Sequence, residues 1–372
     1  MPAVGRHNFP LLMAASLSRR DWLRRALGAG PIGRALFPLV EEPPRWRECP
    51  FSELAGLVTP TSRFFLRSHL AYPVLDASRW NLEIAGAVRR RLALGLADLE
   101  ALPGVERTVT FECAGNPPGG GMVSTAVWRG VLLRDLLEKA GVAPGAKEVV
   151  FEGSDFGLDE AESVPLVYER SIPLEKAQAV ETLVAWRMNG APLDREHGAP
   201  VRVVVPGYYA MSHVKWLARL RVVERPFAGF YMTKRYFTAR RLAATGELEV
   251  RPETKMKVKS QIARPADRER VFGDPVLISG AAWTGQGEIA RVEVSTDAAL
   301  TWQPARLLDR PEPYCWVRWQ YAWRPTKGGA HTLVCRAFDT AGGEQPEDPD
   351  PDVINRYGNN WYHRVNVTVG NA

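Results

Sequence analysis

Apolar and polar positions alternate along residues 105–111, with Val105, Val109 and Phe111 on one side of an extended chain, and this period of two predicts a strand. Residues 148–152 and 201–205 are short, nearly continuous apolar runs, the pattern of buried strands. Within 130–140, Leu132, Leu133, Leu136 and Leu137 recur at helical spacing and predict an amphipathic helix. From about 80 to 245 such strands alternate with helical patterns, which defines an α+β or mixed α/β region with function-bearing turns at strand ends. Beyond 250 the texture changes. Residues 275–279, 290–295, 314–323, 332–338 and 362–369 are short β-rich runs, separated by turns such as Gly285-Gln286-Gly287 and Lys327-Gly328-Gly329. That punctuation, without a long helical pattern, predicts a β-sandwich of roughly 120 residues. Runs 314–323 and 332–338 read as a hairpin turning near 327–328, a register that sets Cys335 opposite Gln320 rather than Cys315. The chain thus divides into a basic tail (1–40), a mixed α/β domain (41–250) that opens on a proline-marked lead-in, and a sandwich (251–372).

Composition narrows the class. The 372 residues are 45% hydrophobic and 24% charged, with a mean hydropathy of −0.21, which argues against a disordered or fibrous chain. No apolar run approaches the roughly 18 residues that span a bilayer, so no integral membrane segment is expected. The net charge is +6, but residues 1–40 hold six arginines against the single acid Asp21, so five of those charges sit in the tail. A nucleic-acid binder places its basic excess on the folded domain, so none is expected as partner. Four cysteines without a CxxC pair fit neither a disulfide scaffold nor structural zinc. In the tail, Ser18-Arg19-Arg20-Asp21-Trp22-Leu23 resembles a twin-arginine export address, which implies a periplasmic destination. The alternative is a basic amphipathic helix on the surface of a cytoplasmic protein.

The segment richest in chemistry is Thr110-Phe111-Glu112-Cys113-Ala114-Gly115-Asn116-Pro117-Pro118-Gly119-Gly120-Gly121. A predicted strand ends at a cysteine, and small residues follow that let backbone approach a ligand closely. A cysteine there is a nucleophile, a soft metal ligand or a small buried hydrophobe.

Neighbouring motifs separate these options. Cys113-Ala114-Gly115-Asn116 is followed by Val127-Trp128-Arg129-Gly130-Val131, Ser171-Ile172-Pro173-Leu174, Trp186-Arg187-Met188-Asn189-Gly190, His197-Gly198, Pro200-Val201-Arg202-Val203 and Val214-Lys215-Trp216-Leu217. The sandwich contributes Ala282-Trp283, Val292-Glu293-Val294-Ser295 and Thr301-Trp302. In this order and spacing, over about 55–370, the chain resembles the sulfite oxidase family of molybdenum enzymes. The resemblance implies a molybdopterin-binding catalytic domain followed by an immunoglobulin-like β-sandwich that forms a homodimer. It implies molybdenum held by a pyranopterin dithiolene and by the Cys113 thiolate, a soft donor suited to such a metal. It places Arg67 and Tyr236 with Cys113 in the catalytic centre. Phe65, Arg67, His69, Cys113, His197, Arg202, Ser212, His213 and Lys215 become cofactor-binding residues.

The implied reaction is oxygen-atom transfer on a small sulfur oxyanion, sulfite to sulfate, with electrons leaving to an external acceptor such as a c-type cytochrome. The pattern also breaks. The family's arginine pair after Asn116 is Pro117-Pro118 here, its Asn in the Phe-Phe-x-Arg-Asn-His element is Ser68, and its Gly-Ala-Arg before Val214 is Ala210-Met211-Ser212. Proline donates no hydrogen bond, so positive charge is lost near the metal; Arg129, His213 or an arginine of the sandwich is the expected compensation. These departures keep two alternatives in view: a molybdenum reductase acting on a less charged substrate such as a sulfoxide, and a cofactor-free interaction protein on the same scaffold.

Overall fold

A computed structural model describes residues 46–159, 165–355 and 357–370, so the tail and its arginine motif lie outside the described residues. The lead-in is irregular, as its prolines require: two 3-10 turns, Phe51–Glu53 and Thr61–Arg63, and a two-residue ladder that pairs Trp46–Arg47 with Leu66–Arg67.

The first half is built on two five-stranded sheets. One is antiparallel and carries Val105–Glu112, Val123–Leu132, Leu183–Met188, Ala191–Pro192 and Arg202–Val204. The other holds Leu92–Gly95, Asn81–Gly86, Leu217–Val223, Glu148–Gly157 and Leu166–Pro173 in that spatial order, and one of its pairings, Leu217–Val223 with Asn81–Gly86, is parallel. The predicted helix is shorter than its spacing implied. Residues 130–132 finish the strand Val123–Leu132, and the helix is Leu133–Ala140, with Leu133, Leu136 and Leu137 fully buried. Gly130 pairs with Val105 and Ala185 on the two neighbouring strands, and only a glycine fits there because a Cβ would lie 2.2 Å from the Val184 carbonyl oxygen.

The second half is a two-sheet sandwich. Lys259–Arg264, Val276–Trp283, Val317–Trp323 and Arg306–Leu307 form one sheet. Arg270–Val271, His363–Val369, Gly329–Asp339, Ile289–Ser295 and Gln303–Pro304 form the other, and Ile278, Trp319, Val292, Leu333 and Val367 meet between them. The expected hairpin of 314–323 with 332–338 is not made. Val317–Trp323 pairs with Val276–Trp283, while Gly329–Asp339 crosses to the opposite sheet and pairs with Ile289–Ser295 and His363–Val369. Cys335 therefore faces Val294 and His363 across its ladders, and all four cysteines are free and buried. No helix among the described residues is long and apolar enough to cross a membrane.

The two halves share one core. Met256, Ala281, Trp283, Cys315 and Trp316 of the sandwich region belong to the same apolar cluster as Phe51, Leu82, Leu136 and Phe151. Phe51 packs edge-on against both Trp283 and Trp316, and the Trp316 indole donates to the Leu57 carbonyl at 2.7 Å.

One turn of the sandwich carries backbone strain. The Asp297 carboxylate accepts from Ser295 Oγ and from both the backbone and the hydroxyl of Thr301, which winds the chain so tightly that Ala298 and Ala299 sit at φ 60° and 74°. A Cβ in that region is unfavourable. Ala299→Gly is expected to raise unfolding free energy by about 0.5–1 kcal/mol, measured by urea denaturation, because the relieved strain exceeds the entropy that glycine adds to the unfolded chain.

Candidate functional site

The strand Val105–Glu112 delivers Cys113 to the seam between the two sheets of the first half, where two clefts meet. The inner one encloses about 680 Å³, measured to its open mouth, and is lined by Phe65, Ser68, Phe111, Asp155, Tyr168, His197, Arg202, His213, Lys215 and others. The outer one, about 750 Å³ on the same measure, is lined by Trp46, Gly115, Met122, Arg235 and Tyr357. Arg67, His69, Cys113 and Tyr236 line both, so they mark the junction.

Cys113 is 9% exposed, and burial raises its thiol pKa, opposed by a backbone hydrogen bond from Gly115 and the charge of Arg67. Its loop is closed by local bonds: Asn116 N–H donates to the Cys113 carbonyl, and Asn116 Oδ1 accepts from Met122 N–H.

The lead-in contributes Arg67 and His69. The Arg67 guanidinium has a long hydrogen bond, 3.5 Å, to the Ser68 carbonyl and points its charge at the junction. His69 Nε2 pairs with the Tyr236 hydroxyl, while Nδ1 lies 3.5 Å from the Asp159 carboxylate, so both nitrogens face protein groups. Burial, with Arg67 and Arg235, holds its pKa down to about 3. Tyr236 itself is buried at φ 52°, a left-handed conformation that places its ring at the junction.

The inner cleft is polar in a particular way. His197 Nδ1 donates to Asp194 at 2.7 Å, which leaves Nε2 as an acceptor with no partner. The Arg202 guanidinium lies over the Phe111 and Trp128 rings and donates to the carbonyls of His197 and His213, and burial pushes its pKa down to about 9. Lys215 Nζ donates to Ser68 Oγ at 2.5 Å and to the Glu196 carbonyl; burial lowers its pKa and raises that of nearby Asp155, each charge opposing the other's shift. His213 offers its ring rather than a nitrogen, since Nδ1 accepts from Val205 N–H and Nε2 donates to the Tyr208 carbonyl. Ser212 is fully buried and lines neither cleft.

Three atoms of the inner lining, Asp155 Oδ1, His197 Nε2 and Arg202 Nε, are buried with no hydrogen-bond partner. Buried polar groups are normally bonded, so this cleft is built for an occupant with both donors and acceptors. No group of three or more His, Cys, Asp or Glu side chains converges among the described residues. A metal held by the Cys113 thiolate would take its other ligands from that occupant. A pterin dithiolene with a phosphate supplies these features, and the residues present fit it.

Two lining residues escaped sequence reasoning. Asp155 is turned into the cleft by a bulge between Glu152 and Phe156, and Gly153 is needed there because a Cβ would meet Asp155 Oδ1 at 2.3 Å. The only legible signal was an acid inside an apolar strand. Arg235, ion-paired to Asp159, supplies the second guanidinium of the outer cleft. The expected compensators do not: Arg129 pairs with Glu106 at the surface and lines neither cleft, and the His213 nitrogens are occupied. Pro117 and Pro118 lie outside both linings.

A mixed α/β domain with a polar cleft beside a buried thiol, joined to a β-sandwich, is the architecture that two families of oxidoreductase domains describe. Family models agree: residues 69–231 match the oxidoreductase molybdopterin binding domain and 251–370 the Mo-co oxidoreductase dimerisation domain. Mitochondrial sulfite oxidase of Macaca fascicularis is 37% identical over 89% of this chain and 64% of its own length. Gallus gallus sulfite oxidase is 34% identical over 79% of this chain and 69% of its own. The crystal structure of the sulfane dehydrogenase SoxCD from Paracoccus pantotrophus superposes with a TM-score of 0.76 at 29% identity, covering 87% of this chain and 86% of that one. The chain belongs to the sulfite oxidase family of molybdopterin oxidoreductases, and it spans about 64% of the length of its mammalian relatives.

The buried imidazoles predict acid sensitivity. His69 is held to about 3 and His363 to about 4, below the 6.5 of a free imidazole, so below pH 6.5 the unfolded chain takes up protons that the folded one refuses. Stability is expected to be complete above pH 6.5 and to fall progressively toward pH 4. Urea denaturation at pH 7.5 and 5.0 measures the loss, and His363→Gln is expected to reduce it.

Proposed function

We propose that the protein is a molybdenum-dependent oxidoreductase that converts a small sulfur oxyanion, sulfite in the first instance, to its oxidised product. The observation that carries this reading is the junction: Cys113, Arg67 and Tyr236 are shared by a cleft that fits a pterin and a cleft that admits substrate. With sulfite, water supplies the added oxygen, and two electrons and two protons leave with sulfate. When bound, the molybdenum cofactor supplies the two-electron redox and oxygen-transfer chemistry.

The chain's own residues have the following parts. Cys113 provides the protein thiolate to molybdenum. Arg67, a permanently charged fork, binds the oxyanion, with Arg235 adding positive field at the entrance. Tyr236, its hydroxyl oriented by His69, hydrogen-bonds a substrate oxygen. Asp155, His197, Arg202 and Lys215 hold the pterin and phosphate, while Phe65, Phe111 and the His213 ring wall off water. The electrons pass to a separate acceptor such as a c-type cytochrome. The sandwich pairs two copies into a homodimer, and the twin-arginine motif directs the folded, cofactor-loaded protein to the periplasm.

The lining of the outer cleft favours a second reading. Trp46, Met122, Tyr236 and Tyr357 give it an apolar wall beside the Arg67 and Arg235 guanidiniums. That lining suits a less charged sulfur substrate such as a sulfoxide, handled in the reductive direction.

A survey of sulfite, thiosulfate and sulfoxides on purified, cofactor-loaded protein decides between them, with an artificial electron acceptor for the first two and a donor for the third. Rapid turnover with sulfite supports the first reading; turnover of sulfoxide alone overturns it. Cys113→Ser is expected to fold but to lose turnover, with molybdenum content checked by elemental analysis. Arg67→Met is expected to lower kcat/KM for an oxyanion roughly ten- to a hundredfold, the worth of one charge-assisted hydrogen bond.

A further inference from the structure

The loop that carries Cys113 is held from outside its own domain. Lys259, on the first strand of the sandwich, is fully buried, and its ammonium donates to Glu112 Oε1 and to the Asn116 carbonyl, both at 2.8 Å. Those acceptors bracket Cys113 in the chain. Glu112 Oε2 accepts from the Trp283 indole at 2.8 Å, and Glu112 Oε1 also accepts from Asn116 Nδ2. Two residues along the same strand, on the same face, Gln261 accepts from Gly119 N–H at 3.0 Å and donates to the Gly120 carbonyl at 3.1 Å. Gly358 N–H donates to the Ala114 carbonyl at 2.8 Å. At Gly119, where φ is 83°, a Cβ would lie 2.6 Å from His363 Nε2, so the sandwich shapes even the loop's tip.

We propose that the sandwich is a template for the metal site: Lys259 and Gln261 are positioning residues that set how the Cys113 sulfur is presented to the cofactor. The proposal rests on the reading of Cys113 as the molybdenum ligand. Dimerisation would need none of these bonds. They end on main-chain atoms of 114, 116, 119 and 120 and on the carboxylate next to the thiol, which is the arrangement that fixes a loop's conformation. The catalytic sheet supplies one edge of the loop, through the bond from Cys113 N–H to the Met122 carbonyl, and the sandwich supplies the other.

The test uses full-length protein with Gln261→Ala and, separately, Lys259→Met. In cofactor-free protein, alkylation of Cys113 by iodoacetamide is followed by peptide mass. Loss of the clamp is expected to speed it about fivefold or more, while Cys49, Cys315 and Cys335 react as in wild type. In cofactor-loaded protein the Mo(V) electron paramagnetic resonance spectrum is expected to shift and molybdenum per chain to fall, with Gln261→Ala unfolding near the wild-type temperature. A strut that only stabilises would lower that temperature and leave both the spectrum and the selective alkylation unchanged. Wild-type alkylation and an unaltered spectrum in folded Gln261→Ala overturn the proposal. If Lys259→Met does not fold, Glu112→Gln combined with Lys259→Met removes the lone buried charge and carries the same comparison. Wild-type protein that takes up no molybdenum rejects the ligand reading instead, and the alkylation result then judges the template alone.

Discussion

The buried ion pair of Glu112 and Lys259 is the constraint around which the molecule is arranged. Both side chains are essentially inaccessible, and two charges in an apolar interior persist only when their geometry is good and further hydrogen bonds support them. Here the carboxylate is bonded to Lys259, Asn116 and Trp283, and the ammonium to Glu112 and the Asn116 carbonyl. Removing one partner of such a pair costs on the order of 3–5 kcal/mol, because the other charge is left behind without water. The end of the strand Val105–Glu112 is therefore tied to a particular spot on the sandwich, and the clefts open just beyond that spot.

Against this well-bonded knot, the inner cleft is incomplete. Asp155, His197 and Arg202 each keep an unmatched polar atom in a buried setting. Such atoms weaken the empty fold, and an occupant that satisfies them returns that stability on binding. The histidines around the clefts are all shifted toward the neutral form, so the positive field comes from arginine and lysine, whose charge does not depend on protonation near neutral pH in the case of arginine.

Local pattern exposed the elements that are local. The strand Val105–Glu112, the sandwich strands and the cysteine at a strand end could all be read from periodicity and punctuation, and ordered motifs pointed to most of the cleft lining. What failed was whatever depends on distant chain. A turn near 327–328 reads the same whether its flanking strands share a sheet or cross between two, so the hairpin expected there was wrong. Leu132 fits a helical stripe, but the pairing of Gly130 with Val105 and Ala185 on two neighbouring strands keeps that segment in a sheet. Asp155 was hidden because a bulge changes the face on which a residue emerges. Glu112 and Lys259 were hidden because each looks like an ordinary surface charge until the other, 147 positions away, is placed beside it.

The apolar cluster that runs through both halves has an evolutionary consequence. Trp283 and Trp316 pack on Phe51, so detaching the sandwich would expose indoles that are buried in the intact chain. Neither part is a cassette that can be grafted onto an unrelated neighbour, or encoded by a separate gene, without rebuilding the surface between them. Drift in one half is answerable to the other, and chimeras made by swapping sandwiches among relatives should tolerate change on the outward sheet far better than around those two tryptophans.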